Sequence, residues 1–102
     1  MAKVSAIIIN YNAGDILRQT VQTLLCSKDV AELFVVDNAS SDNSMAAIDR
    51  LAESSSVLRC IHNTHNSGFA RACNMALTTA SCDYLLLLNP DCIMKPEALK
   101  SL

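Results

Sequence analysis

Short apolar runs alternate along this chain with segments of helical periodicity. Lys3 to Asn10 (KVSAIIIN) is β-branched and predicts a buried strand. Ala13-Gly14-Asp15 breaks it, with Asp15 as an N-cap, and Ile16, Leu17, Val21, Leu24 and Leu25 then share one face of a helix ending near Cys26. Glu32 to Asp37 (ELFVVD) predicts the second strand. Ser40-Ser41-Asp42 caps a helix in which Met45, Ile48 and Leu51 recur. Val57 to His62 predicts a third strand, and the polar loop Asn63 to Gly68 leads into a helix from Phe69 to Ala80. Asp83 to Leu88 (DYLLLL) is unbroken in hydrophobicity, which predicts a central strand buried on both faces. Pro96 and Glu97 open a last helix. The order βαβαβαβ, with helical crossovers, predicts an α/β fold on a mainly parallel sheet.

Parallel strands deliver their carboxyl ends to one edge of the sheet, where open α/β folds bind ligands. Four polar segments leave those ends: Asn10-Tyr11-Asn12, Asp37 to Asp42, Asn63 to Gly68, and Asn89-Pro90-Asp91. Any one of them could be turn and capping chemistry alone. All four on one edge point to a ligand site. Asp91 leaves the most apolar strand on a turn stiffened by Pro90, which suits a hard divalent cation shared with phosphate oxygens. A capping aspartate is the competing role for it. Asp37 ends its strand and is expected to project into the crevice, where a carboxylate accepts from a base N–H or a ribose hydroxyl. Closing its own turn with Ser40 or Ser41 is the alternative. Arg71, on the first turns of the third helix, could reach a phosphate or could be an ordinary exposed arginine. His62 and His65 have no acidic or cysteine partner at metal-ligand spacing and are read as structural.

Composition narrows the classes. In 102 residues there are eight basic and ten acidic residues, a net charge of −2 and no basic run, so nucleic acid is excluded as a partner. Ala6 to Ile9 is far shorter than a membrane span, and no secretory signal is evident, which makes the cytoplasm the expected compartment. The five cysteines include no C-x-x-C pair, and their odd number argues against a disulfide framework. They are expected to be small buried hydrophobes under reducing conditions. Two glycines, Gly14 and Gly68, leave no room for a G-x-G-x-x-G fingerprint or a P-loop. A phosphate would instead be held by Arg71, a helix N-terminus near Gly68, or a metal.

The succession VSAIIINYN, FVVDNASSD, HNSGFARACNMAL, DYLLLLNPDC resembles family 2 glycosyltransferases of the GT-A fold, over essentially the whole chain. The GFARACN and LLNPD forms look most like rhamnosyltransferase-type sequences. The resemblance implies a Rossmann-like three-layer sandwich, here the donor-binding portion, residues 1–102, of a longer enzyme. It implies that Tyr11, Asn12 and Asp37 recognise base and ribose. Asn66 to Asn74, with Gly68, Arg71 and Asn74, then line the nucleotide and diphosphate pocket. Asn89-Pro90-Asp91 stands where the family carries D-x-D, so Asp91 would hold Mg2+ or Mn2+ against the diphosphate. Two departures follow: Asn89 adds no charge, and Cys73 stands where an arginine often precedes the helical asparagine. Arg71, two residues earlier, lies about half a turn away.

The resemblance further implies transfer from a dTDP- or UDP-sugar to a glycan or lipid-linked acceptor by an inverting mechanism. The acceptor-binding portion and the general base are expected outside this chain, leaving the fragment alone inactive. The longer enzyme is expected in the cytoplasm, peripheral to the inner face of the membrane. An exposed sheet edge implies self-association. Two other classes compete: a non-catalytic nucleotide-binding or assembly module, and a receiver-like phospho-acceptor domain. The second is disfavoured because Asn10-Tyr11-Asn12 lacks an acidic pair at the end of the first strand.

Overall fold

A computed structural model describes residues 3–91. The elements run β1 (Val4–Asn10), α1 (Ile16–Leu25), β2 (Val30–Asp37), α2 (Ser44–Glu53), β3 (Leu58–His62), α3 (Phe69–Leu77) and β4 (Tyr84–Leu88). All four strands are parallel, in the order β3-β2-β1-β4. The fold is α/β, as the alternation predicts. β2 begins two residues before the predicted start, and α3 ends three residues before Ala80. The helix predicted at Pro96 and the cysteine Cys92 lie outside the described residues.

The layers follow from the strand order. The chain steps from β1 to β2 to β3 in one direction, then returns past β1 to β4. With crossovers of constant hand, α1 and α2 share one face and α3 must cover the other. The two cores show this division. Ala6, Ile8, Leu33 and Val35 pack with Leu17, Val21 and Leu24 of α1 and Ile48 of α2. Ile7, Ile9, Phe34 and Val36, the alternate residues, pack with Ala72, Cys73 and Ala76 of α3. The small side chains of α3 let the helix approach closely over Phe34, whose burial contributes about 1.5–3 kcal/mol.

The expectation of a central β4 is overturned: it is an edge strand of the described sheet. Leu86 and Leu88 pack onto the α1 side, while Leu85 and Leu87 are 51% and 49% exposed. An unbroken apolar run means that both faces of a strand are apolar; it carries no information about its edges. β1 is the strand paired on both sides, and α3 lies over β1 and β2, not β4. The cysteines also divide. Cys73 is buried, Cys60 and Cys82 are half-buried, and Cys26 is exposed on the last turn of α1, contrary to its expected burial; these four are free thiols. Burial first, then the neighbouring Asp49 carboxylate, push the Cys60 thiol up to about 12, so it is not a nucleophile. Among the described residues, no helix is long and apolar enough to cross a membrane.

The amino end of the sheet is closed by one carboxylate. Glu32 is buried and accepts from Ser5 Oγ (2.8 Å), Ser81 N (2.8 Å) and Ser81 Oγ (3.0 Å), tying β2 to β1 and to the entry of β4. The Ser81 amide foremost, then the Ser5 hydroxyl, hold it below the ordinary glutamate value of 4.5. Stability from this group is therefore present above about pH 4.5 and lost as pH falls through its lower folded value. Thermal melting between pH 6 and 3 should show that loss, with a shallower fall for Glu32→Gln. Parallel curves for the two proteins would rule out Glu32 as its source.

Candidate functional site at the carboxyl edge

The register brings Asn10, Asp37 and His62 side by side where β1, β2 and β3 end. Asn10 has no exposed surface, and its amide nitrogen lies within bonding distance of Asp37 Oδ1 (3.0 Å), Ser40 Oγ (3.2 Å) and Ser44 Oγ (2.9 Å). With two hydrogens for three acceptors, it is saturated as a donor. Asn12, in the left-handed region at φ 54°, accepts at Oδ1 from Ser41 N (2.8 Å) and Asp42 N (3.1 Å). Its own N–H donates to Ser40 Oγ (2.9 Å), and Gly14 N donates to Asp42 Oδ2 (3.0 Å). The Ser44 hydroxyl foremost holds the Asp42 carboxyl below its usual value. The loops after β1 and β2 thus form one cross-braced platform, on which Tyr11 stands 55% exposed.

Asp37 is 7% exposed, and its carboxylate is occupied by Asn10 Nδ2, the Ser40 hydroxyl and Ser40 N. It closes its own turn instead of projecting freely into the crevice. Of about four acceptor directions, three are used, which leaves one on Oδ2 for an outside donor. Ala39 follows at φ 64°, a conformation disfavoured for any residue with a Cβ, so this turn is held by its bonds.

Asn38, assigned no role from sequence, joins this platform to the third segment. Buried at 3% exposure, it accepts at Oδ1 from Asn63 Nδ2 (3.0 Å), Ser67 N (3.2 Å) and Ser67 Oγ (3.2 Å), and donates to the Gly68 carbonyl (3.3 Å). Asn66 caps the same turn by accepting from Gly68 N (2.9 Å). Beyond it, Arg71 and Asn74, three residues apart on an exposed face of α3, line a shallow pocket of about 400 Å3 with His62, His65 and Ser67. Asn66 and Gly68 thus share one turn, while Arg71 and Asn74 share a pocket by the end of β3, the opposite side of the sheet edge from β4 and Asp91. His62, though read as lacking an acidic partner, meets Asp49 of α2 at 2.8 Å; the fold supplies the partner that sequence spacing does not.

Gly68 sits at φ 86°, ψ 161°, a region open essentially to glycine alone. Among the described residues a Cβ there would meet nothing within 4 Å, so the requirement is one of backbone and not of space. Gly68→Ala should cost about 1–3 kcal/mol. Thermal melting checks this; an unchanged midpoint would mean the turn relaxes freely.

The fourth segment leaves the sheet beside the first, because Ile8 of β1 pairs with Leu88 of β4. This is where the strand order reverses, the place at which open α/β sheets form a ligand crevice. Asn89 and Asp91 are exposed there, and Thr20 Oγ1 of α1 lies 2.6 Å from the Pro90 carbonyl oxygen. Among the described residues, no group of three or more His, Cys, Asp or Glu side chains could hold a metal alone. One carboxylate beside one amide oxygen does fit a hard cation that takes its remaining ligands from a diphosphate and water.

A parallel α/β sheet with four polar segments at its carboxyl edge and a crevice beside β1 and β4 defines a doubly wound class of fold with its ligand site at that edge. Residues 5–102 match Glycosyl transferase family 2, and the chain belongs to that family. It is 28% identical over 100 residues to the glycosyltransferase GlyG of Streptococcus pneumoniae serotype 4, covering 97% of this chain and 33% of that protein. It is 29% identical over 89 residues to a poly-beta-1,6-N-acetyl-D-glucosamine synthase of Staphylococcus aureus, covering 86% and 21%. The mannosyltransferase PcManGT of Pyrobaculum calidifontis, solved with GDP-Man and Mn2+, superimposes with a TM-score of 0.86 at 25% identity, over 96% of this chain and 30% of that one. S. aureus TarS has the same fold, with a TM-score of 0.83 at 24% identity, over 97% and 30%. The chain spans a third or less of the length of these relatives.

Proposed function

We propose that residues 1–102 form the donor-binding portion of a glycosyltransferase that moves a sugar from a nucleoside diphosphate to an acceptor hydroxyl. The observation that carries this is the meeting of the Tyr11-Asn12 platform with Asn89-Pro90-Asp91 at the reversal of strand order, in a family 2 chain. Tyr11 offers a ring for the base, Asn12 its amide nitrogen, and Asp37 its one remaining acceptor direction. Asn66, the Gly68 backbone, Arg71 and Asn74 extend the binding surface along α3, with Arg71 available to phosphate oxygens. Asp91 would hold Mg2+ or Mn2+ with Asn89 as a neutral neighbour; PcManGT, bound to Mn2+ with its donor, supports a divalent ion. Such an ion, when bound, neutralises the departing diphosphate.

In an inverting transfer, a base takes the acceptor proton while its oxygen attacks the anomeric carbon and the diphosphate leaves. These residues would contribute positioning and charge. The greater length of the relatives supports placing the acceptor site and the base outside residues 1–102, with the fragment itself inactive. The acceptor would be a glycan or a lipid-linked sugar, as the synthase among the relatives suggests. The GFARACN and LLNPD forms support rhamnose as the sugar, carried on dTDP or UDP. Free thiols support a reducing, cytoplasmic setting, and the half-exposed Leu85 and Leu87 support self-association of the isolated chain.

Calorimetric titration with UDP, dTDP and GDP, each with and without Mn2+, tests the reading. Metal-dependent binding is expected, with dTDP or UDP preferred if the sugar is rhamnose. A folded chain that binds none of them overturns it.

A further inference from the structure

Thr20 is out of place by the logic of its helix. It stands on the core face of α1 between Leu17, Val21 and Leu24, with no exposed surface. A hydroxyl so placed must be bonded. Thr23, on the same helix but half-buried, shows the ordinary solution: its Oγ1 donates to the carbonyl four residues back, Gln19 O, at 2.9 Å. Thr20 has the corresponding Ile16 O at the longer distance of 3.2 Å and Pro90 O at 2.6 Å. With one hydrogen to give, the shorter and stronger bond takes it.

That bond reaches the peptide unit that matters. The Pro90 carbonyl and the Asp91 N–H belong to one rigid plane. The proline ring fixes φ on the other side of the same residue. Holding Pro90 O therefore sets the direction in which the backbone enters Asp91. We propose that Thr20 is a positioning residue for the metal-binding carboxylate of Asp91, acting through the Pro90–Asp91 peptide; this rests on the donor-site reading above.

The test compares Thr20→Val, which keeps the shape and removes the hydroxyl, with Thr20→Ser, which keeps the hydroxyl. Binding of UDP, dTDP and GDP to the whole chain is titrated calorimetrically in Mn2+ and again in EDTA. Thr20→Val is expected to weaken binding about 10-fold in Mn2+, the usual scale for losing an outer partner of a metal ligand, and to leave binding in EDTA unchanged. Thr20→Ser is expected to restore it. Should the valine variant not fold, Thr20→Ala is measured in the same way. Equal weakening with and without Mn2+, or wild-type affinity in Thr20→Val, overturns the positioning role while the donor-site reading stands. Wild-type protein without Mn2+-dependent binding of UDP, dTDP or GDP overturns both.

Discussion

If Asp91 is the metal ligand proposed above, Asp91→Ala is expected to abolish the Mn2+-dependent part of UDP or dTDP binding, a loss of more than about 100-fold, because it removes a direct ligand and not merely an outer partner. The fold should not change. Asp91 is exposed and its side chain makes no hydrogen bond among the described residues, so the melting temperature of the variant should match that of the parent. Titration in Mn2+ and in EDTA separates the two contributions. Affinity in EDTA should be the same for both proteins. A variant that keeps metal-dependent binding would move the cation away from Asp91, and one that loses binding equally in EDTA would make Asp91 a nucleotide contact.

Asn10 should show the opposite pattern, a large effect on stability that reaches the ligand only through the platform. Its amide is the shared donor to Asp37, Ser40 and Ser44, and it is fully enclosed. Asn10→Ala strips hydrogen bonds from a buried carboxylate and two hydroxyls, for about 3 kcal/mol in urea denaturation. In a domain of this size that is a drop in melting temperature of roughly 12–24 °C. Asn10→Asp should be worse at neutral pH, since it sets a second carboxylate against Asp37 with no hydrogen to offer, and should recover in part on acidification. A loss under about 1 kcal/mol for Asn10→Ala would mean that the network re-forms around water.

The elements were legible because their signals are local. Ile7, Ile8 and Ile9 announce a strand wherever they occur, and Leu17, Val21 and Leu24 a helix face. The edge at which chemistry gathers followed from parallel connection alone. Strand order did not follow, and with it went the place of β4: Leu85 and Leu87 look the same in sequence whether a helix covers them or not. The site was legible as four segments and not as side-chain roles. Asp37 reads in sequence as a ligand group or as the closer of its own turn with Ser40; the turn is what forms, and the added bond from Asn10 becomes visible only once β1 and β2 lie in register. Asn38 does not stand out in sequence because its partners, Asn63, Ser67 and Gly68, are brought to it by β3. The signal for both asparagines was present in outline: an amide at or just past the end of a strand whose preceding residues are wholly buried must itself find partners.

The order β3-β2-β1-β4 also has a consequence in time. During synthesis the first 62 residues can already form a three-stranded unit, β1 to β3, with α1 and α2 on one face. One side of β1 then waits as an open hydrogen-bonding edge, lined by isoleucines, for a partner much further along the chain, β4. Closing that long loop is slow compared with the local steps before it. The Tyr11-Asn12 platform is thus built before the turn carrying Asp91, which comes into place as β4 zips onto β1. A newly made chain therefore exposes that edge for as long as β4 is missing, and in the proposed donor site an assay of metal-dependent binding doubles as an assay of β4 pairing.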